Sequence, residues 1–237
     1  MNTNLGEAMA RAARSIHTKV SLDETLSTIA ATALLSVPHF DAVGISTIDA
    51  KGNVVTRAAT GDLVWQLDAL QYELGEGPCM ETLREAEVVV APEIRHDQRW
   101  PRYVPRAVEL GLRSQLAVKL YLDDEGTLGG LNLYSTESEE VHPGAEGIAE
   151  LFAAHAAIAL GNAREIDGLN EALNTRKAIG QAIGMLMNQY TLSEDAAFGL
   201  LVRMSSHSNV KLRDIAARMV EEANEKAAAA KGQKTDG

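Results

Sequence analysis

The chain of 237 residues is long enough to bury the core of one large domain or two modest ones, which excludes an isolated mini-domain. Hydrophobic residues make up 46% and charged residues 23%, typical of globular proteins, and the first residues lack the apolar run of a signal or membrane segment, so we expect a cytoplasmic protein. The net charge of −11 argues against polyanion binding over the whole surface, and the single cysteine, Cys79, excludes an internal disulfide framework and any multi-cysteine metal site.

The first part of the chain predicts a helix followed by a β-hairpin. Residues 1–20 are predicted to form an N-terminal helical arm, and residues 22–36 carry apolar side chains at steps of three and four before Pro38 ends the helix. Residues 43–49 and 54–60 alternate and are rich in β-branched side chains, which is typical of two paired strands.

The next stretch alternates helices and strands. It predicts helices over 62–72, 79–86 and part of 97–111, and strands over 88–93, 114–124 and 127–136. The resulting five strands are all expected to be antiparallel, so the fold class is α+β, with a central antiparallel sheet flanked by helices.

A helical pattern from Pro143 to about residue 190 is far longer than an average helix. Its apolar stripe exceeds what one small domain needs, so we predict a homodimer that pairs through a coiled coil or bundle. The predicted dimerisation residues are Leu151, Phe152, Ile158, Ile166, Leu169 and Leu173.

Two shorter helices follow, over 194–206 with Ser193 as its cap and over 211–223, which predicts a three-helix C-terminal unit. The predicted domains are therefore 21–163 and 164–223, joined by one continuous helix, with a disordered tail over 224–237. On the first helix, Gly180 and Gly184 indicate close approach of the other two helices.

Charge is unevenly distributed between these parts. Residues 1–170 hold 13 basic and 25 acidic side chains, whereas residues 171–237 hold 9 and 8. Residues 203–218 include four basic side chains but only one acidic side chain, that of Asp214. The pattern predicts a small basic face near the end of an acidic protein.

No catalytic or metal-binding motif stands out, because the six histidines have no paired ligand spacing and no phosphate loop or dinucleotide fingerprint occurs. Cys79 follows a turn at the start of a short helix, so it is either a redox sensor or, as we favour, a small buried hydrophobe. We interpret His155 as a core or seam histidine rather than a ligand, and the acidic turn 123–125 as solvent-facing rather than catalytic. We therefore predict neither an enzyme nor a metal site, and no cofactor is evident.

The sequence resembles two known families. GEGPC (75–79), DQRWPRY (97–103), ELGLRS (109–114), LGGLNLYS (128–135) and LFAAHAAIALGNA (151–163) are similar to a GAF domain of the actinobacterial type. RKAIGQAIGMLM from Arg176 and EDAAFGLLVRMSSHSNVKLRDIA (194–216) resemble an ANTAR domain, and this second match is the more specific. The order of the two is that of the GAF–ANTAR proteins.

The resemblance implies a GAF fold that acts as a signal-sensing or dimerisation input, followed by an RNA-binding unit. ANTAR domains recognise paired hairpins in leader transcripts and so prevent a competing terminator from forming, and hairpin loops expose the base edges that A-form stems hide. The resemblance leaves open whether the GAF domain receives its signal from a small-molecule ligand or from a signalling protein. One departure is Ala182-Ile183-Gly184, where many family members have Ala-Lys-Gly.

The resemblance places the RNA-binding residues on all three C-terminal helices. Because the lysine is missing from the first helix, we expect most RNA contacts on the second and third helices. Lys211 and Arg213 are predicted to contact phosphates. His207 and Asn209 either contact RNA or are a surface residue and a helix cap. The predicted RNA-binding residues are Arg176, Lys177, Gln181, Arg203, Ser206, His207, Asn209, Lys211 and Arg213.

Two other function classes remain as alternatives. Three small helices could form a DNA-binding helix-turn-helix, although SSHSNV predicts a longer and more polar turn than that motif needs. A GAF-fold redox enzyme, such as a free methionine sulfoxide reductase, needs several cysteines, whereas Cys79 has no second cysteine to resolve a disulfide.

Overall fold

In the computed structural model, which describes residues 21–49, 51–123 and 126–232, the chain divides between Arg164 and Glu165 into two units. The predicted N-terminal arm over 1–20 lies outside the described residues, as do Asp124 and Glu125 of the acidic turn. None of the helices in the described ranges is long and apolar enough to cross a bilayer.

The first unit contains helices and strands in mixed order. Its helices are α1 (Leu22–Ser36), α2 (Asp62–Leu74), α3 (Pro78–Arg84), a 3-10 turn (Ile94–His96), α4 (Tyr103–Glu109) and the start of α5 (Ala145–Tyr190). Its strands are β1 (Ala42–Ile48), β2 (Val54–Ala59), β3 (Val88–Ala91), β4 (Ser114–Leu122) and β5 (Gly126–Ser135).

The five strands form one sheet in the order β2-β1-β5-β4-β3, and every neighbouring pair is antiparallel. This confirms the predicted α+β class with a central antiparallel sheet. Strand β3 is two residues shorter than predicted because Pro92, which follows Ala91, has no N–H to donate to the ladder.

Alternation along the strands builds a core on each face of the sheet. On one face, Val43 and Ile45 of β1 belong to a cluster with α1 and with Phe152 of α5. On the other face, Ala42 of β1 and Tyr134 of β5 belong to a cluster with α2 and α4. Phe152 is only 1% exposed, so its prediction as a dimerisation residue is wrong: it packs inside its own chain.

Strands β1 and β5 approach each other closely at a glycine pair in β5. A Cβ atom added at Gly129 would lie 1.9 Å from the backbone carbonyl oxygen of Ser46 on β1, and one added at Gly130 would lie 3.4 Å from the Ser46 Oγ. The glycines of LGGLNLYS therefore serve the β1–β5 pairing, which aligns Gly129 with Thr47.

The second unit is built from the end of α5, α6 (Glu194–Ser208) and α7 (Leu212–Gly232). Its core consists of Ala182, Leu186, Ala197, Leu201, Ile215 and Ala216. The Ser193 Oγ accepts a hydrogen bond from the Ala196 N–H and so caps α6 as predicted.

Two predictions for this unit differ from the structure. Helix α7 continues through 224–232, which were predicted to be disordered, because alanine, glutamate and lysine are strong helix formers. The rest of the predicted tail, 233–237, lies outside the described residues. A Cβ atom added at Gly180 or Gly184 meets nothing within 4 Å, so these glycines do not serve the close helix approach that we expected.

Candidate nucleic-acid interface and buried polar cluster

A tight turn joins α6 to α7. Helix α6 ends at Asn209, whose backbone has the left-handed φ of 53° that asparagine tolerates well at a helix end. The Ser205 Oγ donates to the Val210 carbonyl at 2.6 Å, and the N–H groups of Asp214 and Ile215 donate to the Lys211 carbonyl. The connection between α6 and α7 is three residues long, so the expectation of a longer turn is wrong. The argument against a helix-turn-helix that rested on a longer turn is therefore wrong as well.

Helices α6 and α7 enclose a surface groove of about 630 Å³, which we call the α6–α7 groove. We call its apolar lining the floor and its polar lining, which includes two arginines and one glutamate, the rim. The floor consists of Met204, Val210, Ile215 and Met219, and the rim of Arg203, His207, Ser208, Arg218 and Glu222. Within the described ranges, no acidic side chain forms an ion pair with Arg203 or Arg218.

The opposite side of α7 is acidic. There the Arg213 guanidinium donates to the Glu171 carboxylate at 2.9 Å and lies 3.7 Å from Asp214. The hollow around Arg213 is also lined by Asp167, Glu221 and Glu225. Helix α7 thus separates a basic groove on its α6 side from an acidic hollow on its α5 side.

The structure brings together only part of the predicted RNA-binding set. Arg203 and His207 line the α6–α7 groove, whereas Arg213 lies in the acidic hollow and Gln181 in a separate hollow beside Val220. The remaining predicted residues are exposed and line none of these depressions: Arg176, Lys177, Ser206, Asn209 and Lys211.

Arg218 belongs to the basic face predicted over 203–218 but is not among the predicted RNA-binding residues, and the apolar floor was not predicted. Ile215, Arg218, Met219 and Glu222 follow one another at steps of three and four residues, so they share one face of α7. This spacing was a usable signal, but it was interpreted only as helix packing.

Helix α5 carries a series of exposed apolar side chains. Leu151, Ile158, Ile166, Leu169 and Leu173, all predicted dimerisation residues, are between 42% and 64% exposed. His155 lies on the same helix and is only half-buried, with its Nδ1 atom 2.7 Å from the Leu151 carbonyl oxygen. The expectation of a core position for His155 is therefore wrong, while a seam between two copies stays a prediction.

The first unit contains a fully buried carboxyl, that of Asp68 on α2. It accepts hydrogen bonds from the Tyr134 hydroxyl, from the Thr56 Oγ1 at 2.7 Å and from the Asn132 Nδ2 at 3.3 Å. Burial raises the pKa of Asp68 to about 6, because desolvation of the charged form outweighs these hydrogen bonds, which lower it.

A chain of side-chain hydrogen bonds leads to this carboxyl. The Tyr103 hydroxyl donates to Gln115 at 2.8 Å, Gln115 donates to Gln71 at 3.3 Å, and Gln71 donates to the Tyr134 hydroxyl at 3.0 Å. Burial raises the pKa of both tyrosines, so both hydroxyls stay protonated and can donate. This buried polar cluster has one side-chain atom without a partner in the part of the chain that the structure describes, the Asn132 Oδ1.

Cys79 borders the buried polar cluster and is itself fully buried. Its Sγ lies 3.5 Å from the Ser46 Oγ, and its N–H donates to the Gln71 Oε1 at 2.9 Å. Burial raises the pKa of the thiol to about 12, so it remains a protonated, poorly nucleophilic group at neutral pH. This environment supports the favoured interpretation of Cys79 as a small buried side chain.

Comparison with known families matches both units. A model of the GAF domain matches residues 19–161, and a model of the ANTAR domain matches residues 167–220. The chain is a GAF–ANTAR protein. ANTAR is a known RNA-binding antitermination module and GAF is a sensing domain, so the pairing is that of a regulatory protein rather than a catalyst.

Solved structures share the GAF fold at low identity. The GAF domain of a phosphoenolpyruvate-protein phosphotransferase from Coxiella burnetii has a TM-score of 0.56 and 17% identity, covering 71% of this chain and 99% of that one. Its counterpart from Acinetobacter has a TM-score of 0.54 and 16% identity, with the same coverage. A free methionine-R-sulfoxide reductase from Neisseria meningitidis has a TM-score of 0.53 and 17% identity, covering 68% of this chain and 91% of that one. Among curated proteins, none matches the GAF–ANTAR chain.

Proposed function

We propose that this GAF–ANTAR protein binds paired hairpins in leader transcripts and thereby keeps a terminator from forming, while its GAF domain receives a signal from a small molecule or a signalling protein. The observation that carries the RNA part is the pair of arginines, Arg203 and Arg218, on the α6–α7 groove. Neither is neutralised by an acidic side chain of the described residues, so both are available to phosphates. Such a function belongs in the cytoplasm, where the transcripts are made.

Charge determines which side of the ANTAR unit faces the RNA. Among the described residues, Arg213 has the only basic side chain lining the acidic hollow, and it is already paired with Glu171. An RNA backbone on that side would meet several carboxylates, which repel phosphates. The RNA therefore lies over α6 and the α6–α7 turn, with Lys211 within its reach.

The salt dependence of binding tests this orientation. Arg203→Gln and Lys211→Ala are each expected to reduce the slope of log affinity against log salt by about 0.7 to 0.9, one phosphate contact each. Arg213→Ala is expected to change it less, because its guanidinium pairs with Glu171. The probe is a two-hairpin RNA selected on the wild-type chain from a pool with randomised loops, titrated at several salt concentrations.

Lys51→Ala serves as the control, because Lys51 is an exposed lysine of the GAF domain and lies outside the ANTAR unit. Unchanged slopes in a folded Arg203→Gln, Lys211→Ala double variant would contradict the interface. Preference for duplex DNA over every selected hairpin would replace the RNA function with the DNA-binding alternative.

We further propose that two copies pair along the exposed stripe of α5, since recognition of two hairpins calls for two ANTAR units. Five apolar side chains at steps of mostly three, four and seven residues expose too much apolar surface for a helix in water, and burial against a second copy would remove it. Phe152 is left out of this interface because it belongs to the GAF core.

The dimer proposal predicts that Leu169→Glu combined with Leu173→Glu yields monomers, because two carboxylates per copy would repel each other in the seam. Light scattering of the full chain measures the mass. Val202→Glu, which alters a side chain 37% exposed on α6, is the matched control and should leave the dimer intact. A double variant that stays dimeric would rule out this stripe as the main interface.

A further inference from the structure

We propose that the α6–α7 groove is a pocket for one unpaired RNA base that carries an exocyclic amino group. This proposal rests on the RNA-binding function proposed above and adds a subsite to it. The groove combines an apolar floor, positive charge on both of its helices and a single carboxylate. Each of these three features matches a different part of such a nucleotide.

The floor suits the face of a base. Met204 of α6 lines the groove and is 38% exposed, and Met219 and Val210, which also line it, are half-buried. Methionine side chains are flexible and polarizable and contact aromatic rings favourably. A base stacked on these side chains would cover apolar surface that the protein leaves open to water.

The rim suits the phosphates on either side of that base. Arg203 projects from α6 and Arg218 from α7, so the groove has one guanidinium on each of its helices. Unlike Arg213, neither forms an ion pair with an acidic side chain in the described part of the chain. A nucleotide inserted between the helices would place its 5′ and 3′ phosphates near opposite rims.

The carboxylate makes the pocket selective. Glu222 would repel a phosphate, but a carboxylate accepts a hydrogen bond from the amino group of adenine, cytosine or guanine. Uracil has no amino group and presents carbonyl oxygens instead. His207, on the same rim, has ring nitrogens that can donate to or accept from the base edge.

The test combines protein variants with changes in the RNA. The probe is again the two-hairpin RNA selected on the wild-type chain, together with versions in which each loop position in turn is abasic. Met204→Gln keeps the length of the side chain but makes the floor polar, and the matched control is Met187→Gln on α5, where Met187 is 36% exposed outside the groove. Circular dichroism of each variant checks that the helices remain folded.

At one loop position, removal of the base is expected to weaken wild-type binding about tenfold, and Met204→Gln is expected to weaken binding of the intact RNA by a similar factor. The Met204→Gln chain should then bind the abasic and the intact RNA equally, with an unchanged salt slope. Met187→Gln should behave as wild type. Glu222→Gln should selectively weaken the preference for an amino-bearing base over uracil at that same position.

Two results would overturn the pocket while leaving the RNA function intact: wild-type affinity of Met204→Gln for the intact RNA, or an equal loss of affinity for the intact and the abasic RNA. Selection of no RNA by the wild-type chain would contradict the RNA function itself. Formation of larger assemblies that Met204→Gln abolishes in the absence of RNA would assign the groove to a second copy of the chain.

Discussion

Gly129→Ala is expected to lower the free energy of unfolding of the GAF domain by more than about 4 kcal/mol. The added methyl carbon would lie 1.9 Å from the Ser46 carbonyl oxygen, far inside the contact distance of real Cβ atoms. Because the Ser46 carbonyl belongs to the backbone of a central strand, it cannot move away as a side chain would. Relief of the clash therefore requires β1 and β5 to separate, which breaks the ladder that aligns Thr47 with Gly129.

Denaturant unfolding followed by tryptophan fluorescence measures this effect, because both tryptophans, Trp65 and Trp100, lie in the GAF domain. Gly61→Ala is the control, since a Cβ atom at Gly61 meets nothing within 4 Å and its φ of −177° is open to any residue. Its cost as a helix cap is at most about 1 kcal/mol. A Gly129→Ala chain as stable as Gly61→Ala would contradict the β1–β5 register.

The second large effect is a dependence of stability on pH that comes from Asp68. Burial raises the pKa of Asp68 from its ordinary value of 3.8 to about 6, so the folded state holds the proton more tightly than the unfolded state. The group therefore contributes stability at low pH, and this contribution is lost as the pH rises through the window from about 4 to about 6. The shift corresponds to about 3 kcal/mol, since one pKa unit is about 1.4 kcal/mol.

Asp68→Asn isolates this contribution, because the amide resembles the protonated carboxyl and does not titrate. The unfolding free energy of the variant minus that of the wild type is expected to increase by about 2.4 kcal/mol between pH 4 and pH 7, because part of the total of about 3 kcal/mol is already lost at pH 4. Any fixed cost of the substitution cancels in this comparison. The difference should be flat between pH 7 and pH 8, where Asp68 is ionised in both states, and a flat difference from pH 4 upwards would disprove the buried charge.

The sequence predicts the elements of the fold well where one face of an element is buried. Alternation at Val43 and Ile45 indicates a strand, and in the structure both side chains belong to the core cluster with α1 and α5, on a strand that lies beside the central β5. Register and strand order are not encoded locally. They depend on pairings such as Gly129 with Thr47, more than 80 residues apart, so no short-range pattern could predict them.

Adjacent residues on a long helix show the limit of the same reasoning. Leu151 and Phe152 are both apolar, and periodicity assigns both to one stripe, yet Leu151 is exposed and Phe152 is in the core. One step along a helix turns the side chain by about 100°, so the boundary between a core-facing and a free face depends on what packs there. That information comes from the sheet and not from α5.

Prediction of the candidate RNA interface from the sequence meets the same limit. Basic residues over 203–218 predict one basic face, but the structure has Arg203 beside the α6–α7 groove and Arg213 in the acidic hollow, and the sequence could not separate the two. The partner of Arg213 is Glu171, 42 positions earlier on another helix. The buried polar cluster was equally hidden, because Asp68 lies within an ordinary amphipathic helix pattern and only the fold places Asn132 and Tyr134 against it.

The position of Cys79 gives the protein a built-in reporter. The chain has one thiol, and it is enclosed beside Ser46 on the sheet at the start of α3. A thiol reagent can reach it only when that part of the GAF domain opens, so the labelling rate of the native chain measures the free energy of local opening rather than the chemistry of a surface cysteine. Molecules that bind the GAF domain can therefore be screened by the protection of this thiol, with no probe added to the protein.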